Sequence, residues 1–132
     1  MSESNIHAIQ TMFDAFTKRD VAGALAGVDP DIELEPSSMF PGQEVYRGHE
    51  GVLRFFATFF EAWDEYHAEP VEFIDAGENV VVVVHQRARG KGSGVMIESD
   101  MFQVWTLRDG KAVRVRVRES REEALRSSQE TS

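Results

Sequence analysis

A run of five valines, Val80 to Val84, opens the stretch that constrains this chain most. β-Branched side chains are stiff at χ1 and favour a pleated surface, so the run predicts a strand. Gly90, Gly92 and Gly94 break it, and a second extended segment is expected from Val95 to Leu107. Arg108-Asp109-Gly110-Lys111 reads as a hairpin turn, because Asp-Gly supplies the positive φ angles a tight turn needs. The third segment, Ala112 to Glu119, alternates Val113, Val115 and Val117 with Arg114, Arg116 and Arg118. Its valines are expected to face a core, since arginines are not buried there without partners. The rest of the chain reads as cover for one side of this three-stranded sheet.

Upstream, Ile6, Ile9, Met12, Phe13 and Phe16 recur at helical spacing and predict a first helix, capped by Ser2 or Ser4 and ending near Arg19. Asp20 is placed to cap a short second helix, Val21 to about Val28, which Asp29-Pro30-Asp31 would end. Ile32 to Glu35 predicts a short strand and Pro36 to Arg47 a loop. An aromatic helix is expected from Val52 to about Tyr66, then a strand from His67 to Ile74. Ser120-Arg121-Glu122-Glu123 has the pattern of a capping box and predicts a final short helix, with Ser127 to Ser132 as a loose tail. Strands that follow one another late in the chain, after the helices, indicate an α+β fold.

The totals exclude several function classes. The 132 residues suit one domain, 1–132, and include no cysteine, which removes disulfides, thiolate metal sites and a cysteine nucleophile. A net charge of −9 argues against nucleic acid as a partner. No apolar run approaches the ~20 residues of a membrane span, and no signal-peptide pattern is present, so a cytoplasmic protein without membrane partners is expected. His7, His49, His67 and His85 show no metal-ligand spacing, and Gly90 to Gly94 lacks the spacing of a phosphate cradle. Neither metal nor cofactor is expected.

Four segments carry a family likeness: Tyr46-Arg47-Gly48-His49-Glu50-Gly51 ahead of the aromatic helix, Arg89 to Gly94, Val104 to Lys111, and Ser120 to Leu125. With them the chain resembles the SnoaL-like members of the NTF2-like superfamily. The resemblance implies a cone in which helices pack in the concave face of a strongly curved, mainly antiparallel sheet. It also implies a small-molecule pocket in the hollow and commonly a homodimer through the outer sheet face. Ketosteroid isomerases, polyketide cyclases and limonene-epoxide hydrolases share this cone, so fold alone does not choose a reaction.

In the resemblance, Asp100 falls where the isomerases keep a protonated aspartic acid, and an apolar site would disfavour its ionised form. Met12 and Pro36 stand where those enzymes carry a tyrosine and a general base, which argues against steroid isomerisation. Glu35, beside Pro36, is the remaining candidate base. The hydrolases' water-activating set would need an inward arginine. Whether Arg87 and Arg89 or Gln86 and Ala88 point inward stays open, although the last strand favours Gln86.

Asp100 and Glu35 are thus the catalytic candidates. Met12, Phe16, Phe55, Phe59, Trp63, Gln86, Phe102, Val115, Val117 and Glu119 are the expected pocket lining. On the middle strand, Met101, Gln103, Trp105 and Leu107 are the face expected to meet a partner subunit. Two functions follow: a cofactor-free acid–base enzyme of isomerase, cyclase or hydrolase type on an apolar, polyketide- or terpenoid-like oxygenated molecule, or a non-catalytic ligand-binding or dimerisation module.

Overall fold

A computed structural model describes residues 2–36 and 45–129. Helix α1, Ser2–Thr17, turns Ile9, Met12, Phe13 and Phe16 inward, as their spacing requires. Asp20 caps α2, Val21–Ala26, by accepting a hydrogen bond from the Gly23 amide at 3.0 Å. That helix stops at Ala26, before Asp29-Pro30, because Gly27 begins the sheet: its carbonyl accepts the Ala112 amide at 3.0 Å. Strand β1, Val28–Glu35, is therefore longer than expected and runs parallel to the last strand. Tyr46–Arg47 forms a two-residue strand β2, where a loop was expected, and leads into α3, Gly48–Ala62. Of the expected loop, 37–44 lies outside the described residues.

Helix α3 ends earlier than its aromatic pattern suggests. Trp63 is extended (φ −127°, ψ 132°) and opens β3, Trp63–Ala76, so Tyr66 pairs with Ala88 across the sheet instead of closing a helix. The ladder offers those backbone groups partners, and Trp and Tyr suit a pleated surface, so tertiary pairing outweighs helical periodicity here. Strands β4, Asn79–Gly90, β5, Met96–Arg108, and β6, Lys111–Arg118, complete a six-stranded sheet in the order β2-β1-β6-β5-β4-β3. Asp109 (φ 54°) and Gly110 (φ 78°) make the β5–β6 turn.

One irregularity decides which side chains enter the hollow. Leu107 pairs with Ala112 but Thr106 pairs with Arg114, leaving Val113 as a bulge. An unbroken hairpin would set Val115 opposite Val104 and Val117 opposite Phe102. The bulge sets Val115 opposite Trp105 and Val117 opposite Gln103 instead. Directly opposed residues share a face, so a one-residue slip exchanges the two faces of β5. Met101, Gln103, Trp105 and Leu107 point into the cone; Asp100, Phe102 and Val104 point out.

Both sides of β4 are covered. Val80, Val82 and Val84 pack with Ile9, Met12, Val52, Trp105 and Val115 in the main core, while Val81 packs with Val104 and Ala124 outside. All five valines are buried, which is what an unalternating valine run provides for. The outer cover is α4, Arg121–Ser128, capped by Ser120, whose hydroxyl accepts the Glu123 amide at 3.1 Å. Arg121 grips the Glu72 carboxylate with two hydrogen bonds, at 2.7 and 3.1 Å, and the Asn79 side-chain amide donates to the Ser128 carbonyl at 2.6 Å. Ser127 and Ser128 are buried, so this part of the expected tail is helix; 130–132 lies outside the described residues. Arg116, on the face opposite Val115 and Val117, is buried as well. No described helix is long and apolar enough to cross a membrane.

Candidate functional site

The hollow between the helices and the concave sheet face is a cavity of about 150 Å3. Helix α1 contributes Met12, Phe13 and Phe16, and α3 contributes Val52, Phe55, Phe56 and Phe59. From the sheet come Leu34 on β1, Tyr66 and Ala68 on β3, Gln86 on β4, Met101, Gln103 and Trp105 on β5, and Val115 and Val117 on β6. The rings pack edge to face: Phe16 lies 5.2 Å from Phe56 and 5.7 Å from Phe59 between centroids. Such contacts hold a wall in place beyond what burial alone does.

Two polar groups are set into this wall. The Tyr66 ring stands perpendicular to Phe59, with centroids 4.6 Å apart, and its hydroxyl donates to Gln86 Oε1 at 2.7 Å. Gln86 Nε2 in turn donates to Ser99 Oγ at 3.2 Å. Burial pushes the Tyr66 phenol well above its usual range, so it is a neutral donor at physiological pH. Farther along β5, Trp105 Nε1 donates to Gln103 Oε1 at 2.7 Å. Among the described residues the wall carries no carboxylate, imidazole or cation, and Tyr66 is its single titratable side chain.

The catalytic candidates lie elsewhere. Asp100 is on the outer face, where its Oδ1 takes a hydrogen bond from His85 Nδ1 at 2.8 Å; Glu98 Oε2 takes one from His85 Nε2 at 2.8 Å. The Asp100 side chain is 54% exposed, in water and beside an imidazole, which is the opposite of the apolar setting expected for it. The hydrogen bonds to Asp100 and then to Glu98 raise the His85 pKa above its ordinary value. Glu35 also faces outward, because Leu34 before it enters the hollow, and its carboxylate pairs with Arg118. Arg118 Nε donates further to Ser127 Oγ at 3.0 Å, tying β1, β6 and α4 together.

Of the expected lining, Met12, Phe16, Phe55, Phe59, Gln86, Val115 and Val117 meet in the hollow. Trp63 packs behind the wall against Phe59 and Tyr66, and its indole N–H is buried without an acceptor among the described residues. Phe102 packs outside with the cluster under α4, and Glu119 is exposed beyond the end of β6. Trp105, assigned to a subunit interface from sequence, is 8% exposed inside the cone. His49 ties α3 to β1 through the Val28 carbonyl at 3.1 Å.

Tyr66, Gln103 and Trp105 are the polar wall residues that the sequence alone did not assign to the hollow. The i, i+2 spacing of Tyr66 and Ala68 was a signal for the first. The bulge at Val113 left no recognisable mark for the other two.

The model of the SnoaL-like domain family matches residues 9–115. Among solved structures, TerC co-crystallised with polyporic acid is 29% identical, with a TM-score of 0.80 over 96% of this chain and 99% of that one. An NTF2-like protein of unknown function from Burkholderia pseudomallei K96243 is 27% identical, with a TM-score of 0.80 over 96% and 98%. RV0760c from Mycobacterium tuberculosis, in complex with estradiol-17beta-hemisuccinate, shares the fold at 18% identity, with a TM-score of 0.75 over 90% and 95%. No curated protein sequence matches the chain.

Proposed function

The chain belongs to the SnoaL-like domain family, and from that premise we propose that its hollow binds a neutral, apolar, oxygen-bearing small molecule without acid–base catalysis. The observation that carries this reading is the described wall: rings and aliphatic side chains, with amides, a phenol and an indole as the polar groups and no charge among them. General acid–base chemistry needs a group whose pKa lies near the working pH and within hydrogen-bond reach of the reacting atom. Asp100 and Glu35, the groups that could have served, are engaged on the far side of the sheet by His85 and Arg118. TerC, 29% identical over nearly the whole chain, was crystallised with a small molecule, polyporic acid, which supports a pocket of this kind. A dry apolar cavity of about 150 Å3 takes a benzene-sized ring. The test is ethylbenzene titrated into the full chain by calorimetry. Saturable binding that the wall substitution Phe59→Trp weakens at least tenfold is expected. An unsaturable response, unaffected by that change, would reject the pocket.

The homodimer through the outer sheet face belongs to the same proposal. Its earlier support, the β5 face of Met101, Gln103, Trp105 and Leu107, lies inside the cone instead, and on the outer face α4 covers Val81 and Val104. What supports it now is the half of the outer face beyond α4. There the rows His67/Arg87/Glu98 and Glu69/His85/Asp100 set a basic column on β4 beside an acidic column on β5, with His67 and Glu69 on the β3 side. A two-fold pairing can bring such columns into opposite-charge register, each contact being made twice. Light scattering of wild type and Arg87→Glu checks this: a dimer converted to monomer is expected, and a monomeric wild type would refute it.

A further inference from the structure

Gln103 is 9% exposed, and the orientation of its amide follows from its neighbour. An indole N–H can only donate, so the Gln103 atom 2.7 Å from Trp105 Nε1 must be the carbonyl oxygen. The NH2 group is thereby turned away from Trp105. The hydrogen bond it makes among the described residues goes to Met101 Sδ at 3.8 Å, a weak thioether contact, and Met101 is itself part of the wall. The other polar set differs: the Tyr66 hydroxyl is engaged by Gln86, and the Gln86 amide by Ser99. Buried amide donors seldom lack a good acceptor in a folded protein. Gln103 is thus a buried donor with unmet capacity, held in one orientation at the cavity surface.

We propose that Gln103 Nε2 is the recognition group of this pocket and that it selects a neutral ligand bearing a carbonyl oxygen, as in an apolar ketone, ester or quinone. The proposal rests on the binding reading above and names the ligand class for it. A carbonyl oxygen accepts without carrying charge into a wall that offers no cation. A carboxylate would be desolvated there without a counter-charge. Trp105 acts as a positioning residue: removing its N–H frees the amide to turn and present its oxygen, which suits a hydroxyl donor instead.

Three single-ring probes of similar shape test this by calorimetry on the full chain: acetophenone, ethylbenzene and benzoate. Acetophenone is expected to bind about tenfold more tightly than ethylbenzene, the effect of one satisfied buried donor, with benzoate the weakest. In Gln103→Met the preference for acetophenone over ethylbenzene should vanish. Because that change leaves the Trp105 N–H without its acceptor, Gln103→Met/Trp105→Phe, which removes both partners together, serves as the second variant. Trp105→Phe alone should narrow the preference of acetophenone over 1-phenylethanol. Equal binding of acetophenone and ethylbenzene to wild type, or a preference that survives in both Gln103 variants, would overturn the assignment while leaving the pocket intact. Failure of all the probes to bind would overturn the pocket and the assignment together.

Discussion

The two faces of one sheet divide the chemistry of this protein. On the concave face, β4 and β5 present Val82, Val84, Gln86, Met101, Gln103 and Trp105, all neutral, to the helices and the cavity. On the convex face the same two strands present His85, Arg87, Glu98 and Asp100 to solvent, and Val81 and Val104 to α4. Residues one step apart on a strand therefore live in different dielectric settings. Asp100 and Met101 are neighbours in sequence, yet one is hydrated beside an imidazole and the other is wall. The contrast explains why acid–base groups are plentiful in the sequence and missing from the described cavity. Net acidity here is a property of the outside.

The largest effect expected from this contrast comes from placing a charge on the wrong side. Val82→Asp puts a carboxylate at a position with 0% exposure in the main core, and a loss of about 4 kcal/mol or more is expected, enough to abolish a cooperative urea transition. Asp100→Asn, on the other face of the adjacent strand, should leave that transition within about 0.5 kcal/mol. Comparable midpoints for the two variants would break the distinction between the faces.

An intermediate effect is expected under α4. Ala124 has 0% exposure against Val81 and Val104, so Ala124→Asp should cost about 2–3 kcal/mol by burying an unpaired carboxylate or lifting the helix. Ethylbenzene affinity should persist in the folded fraction, because α4 does not border the cavity. Loss of binding in protein shown to be folded by circular dichroism would mean that the two faces are coupled.

Much of the fold was legible because its signals are local. The valine run, the Asp109-Gly110 turn, the Ser120 cap and the stripe from Ile9 to Phe16 each specify an element through nearby residues. The site was less legible because it depends on register. Val113 looks like one more member of a Val/Arg alternation, yet it is the residue the ladder skips, and that single slip exchanges Asp100 and Phe102 for Met101 and Gln103. Nothing local to Val113 announces the bulge, which arises where β6 must pair with β5 on one side and with β1 on the other. Tyr66 was missed for a related reason: helical periodicity from Phe55 to Trp63 continues into it, but pairing with β4 claims its backbone. Met12, Phe16, Phe55 and Phe59 could be placed without register, since helix faces follow from spacing alone.

The smallest effect expected is an absence, because the cavity is neutral while the outer face titrates. One sample serves for both halves. His85, raised by Asp100 and Glu98, should titrate by NMR above its ordinary value of 6.5 and fall back toward it in Asp100→Asn. Its folded pKa is the higher one, so what it contributes to stability is fully present below the unfolded value and is lost as pH rises through the folded value. Acetophenone, which does not ionise in this range, is then titrated by calorimetry from about pH 5.5 to about pH 8.5, the interval that spans an ordinary histidine. Affinity is expected to stay constant to within about twofold across that interval while His85 changes charge. An affinity that changes about tenfold, with a midpoint in the interval, would place a titrating group at the ligand and contradict it.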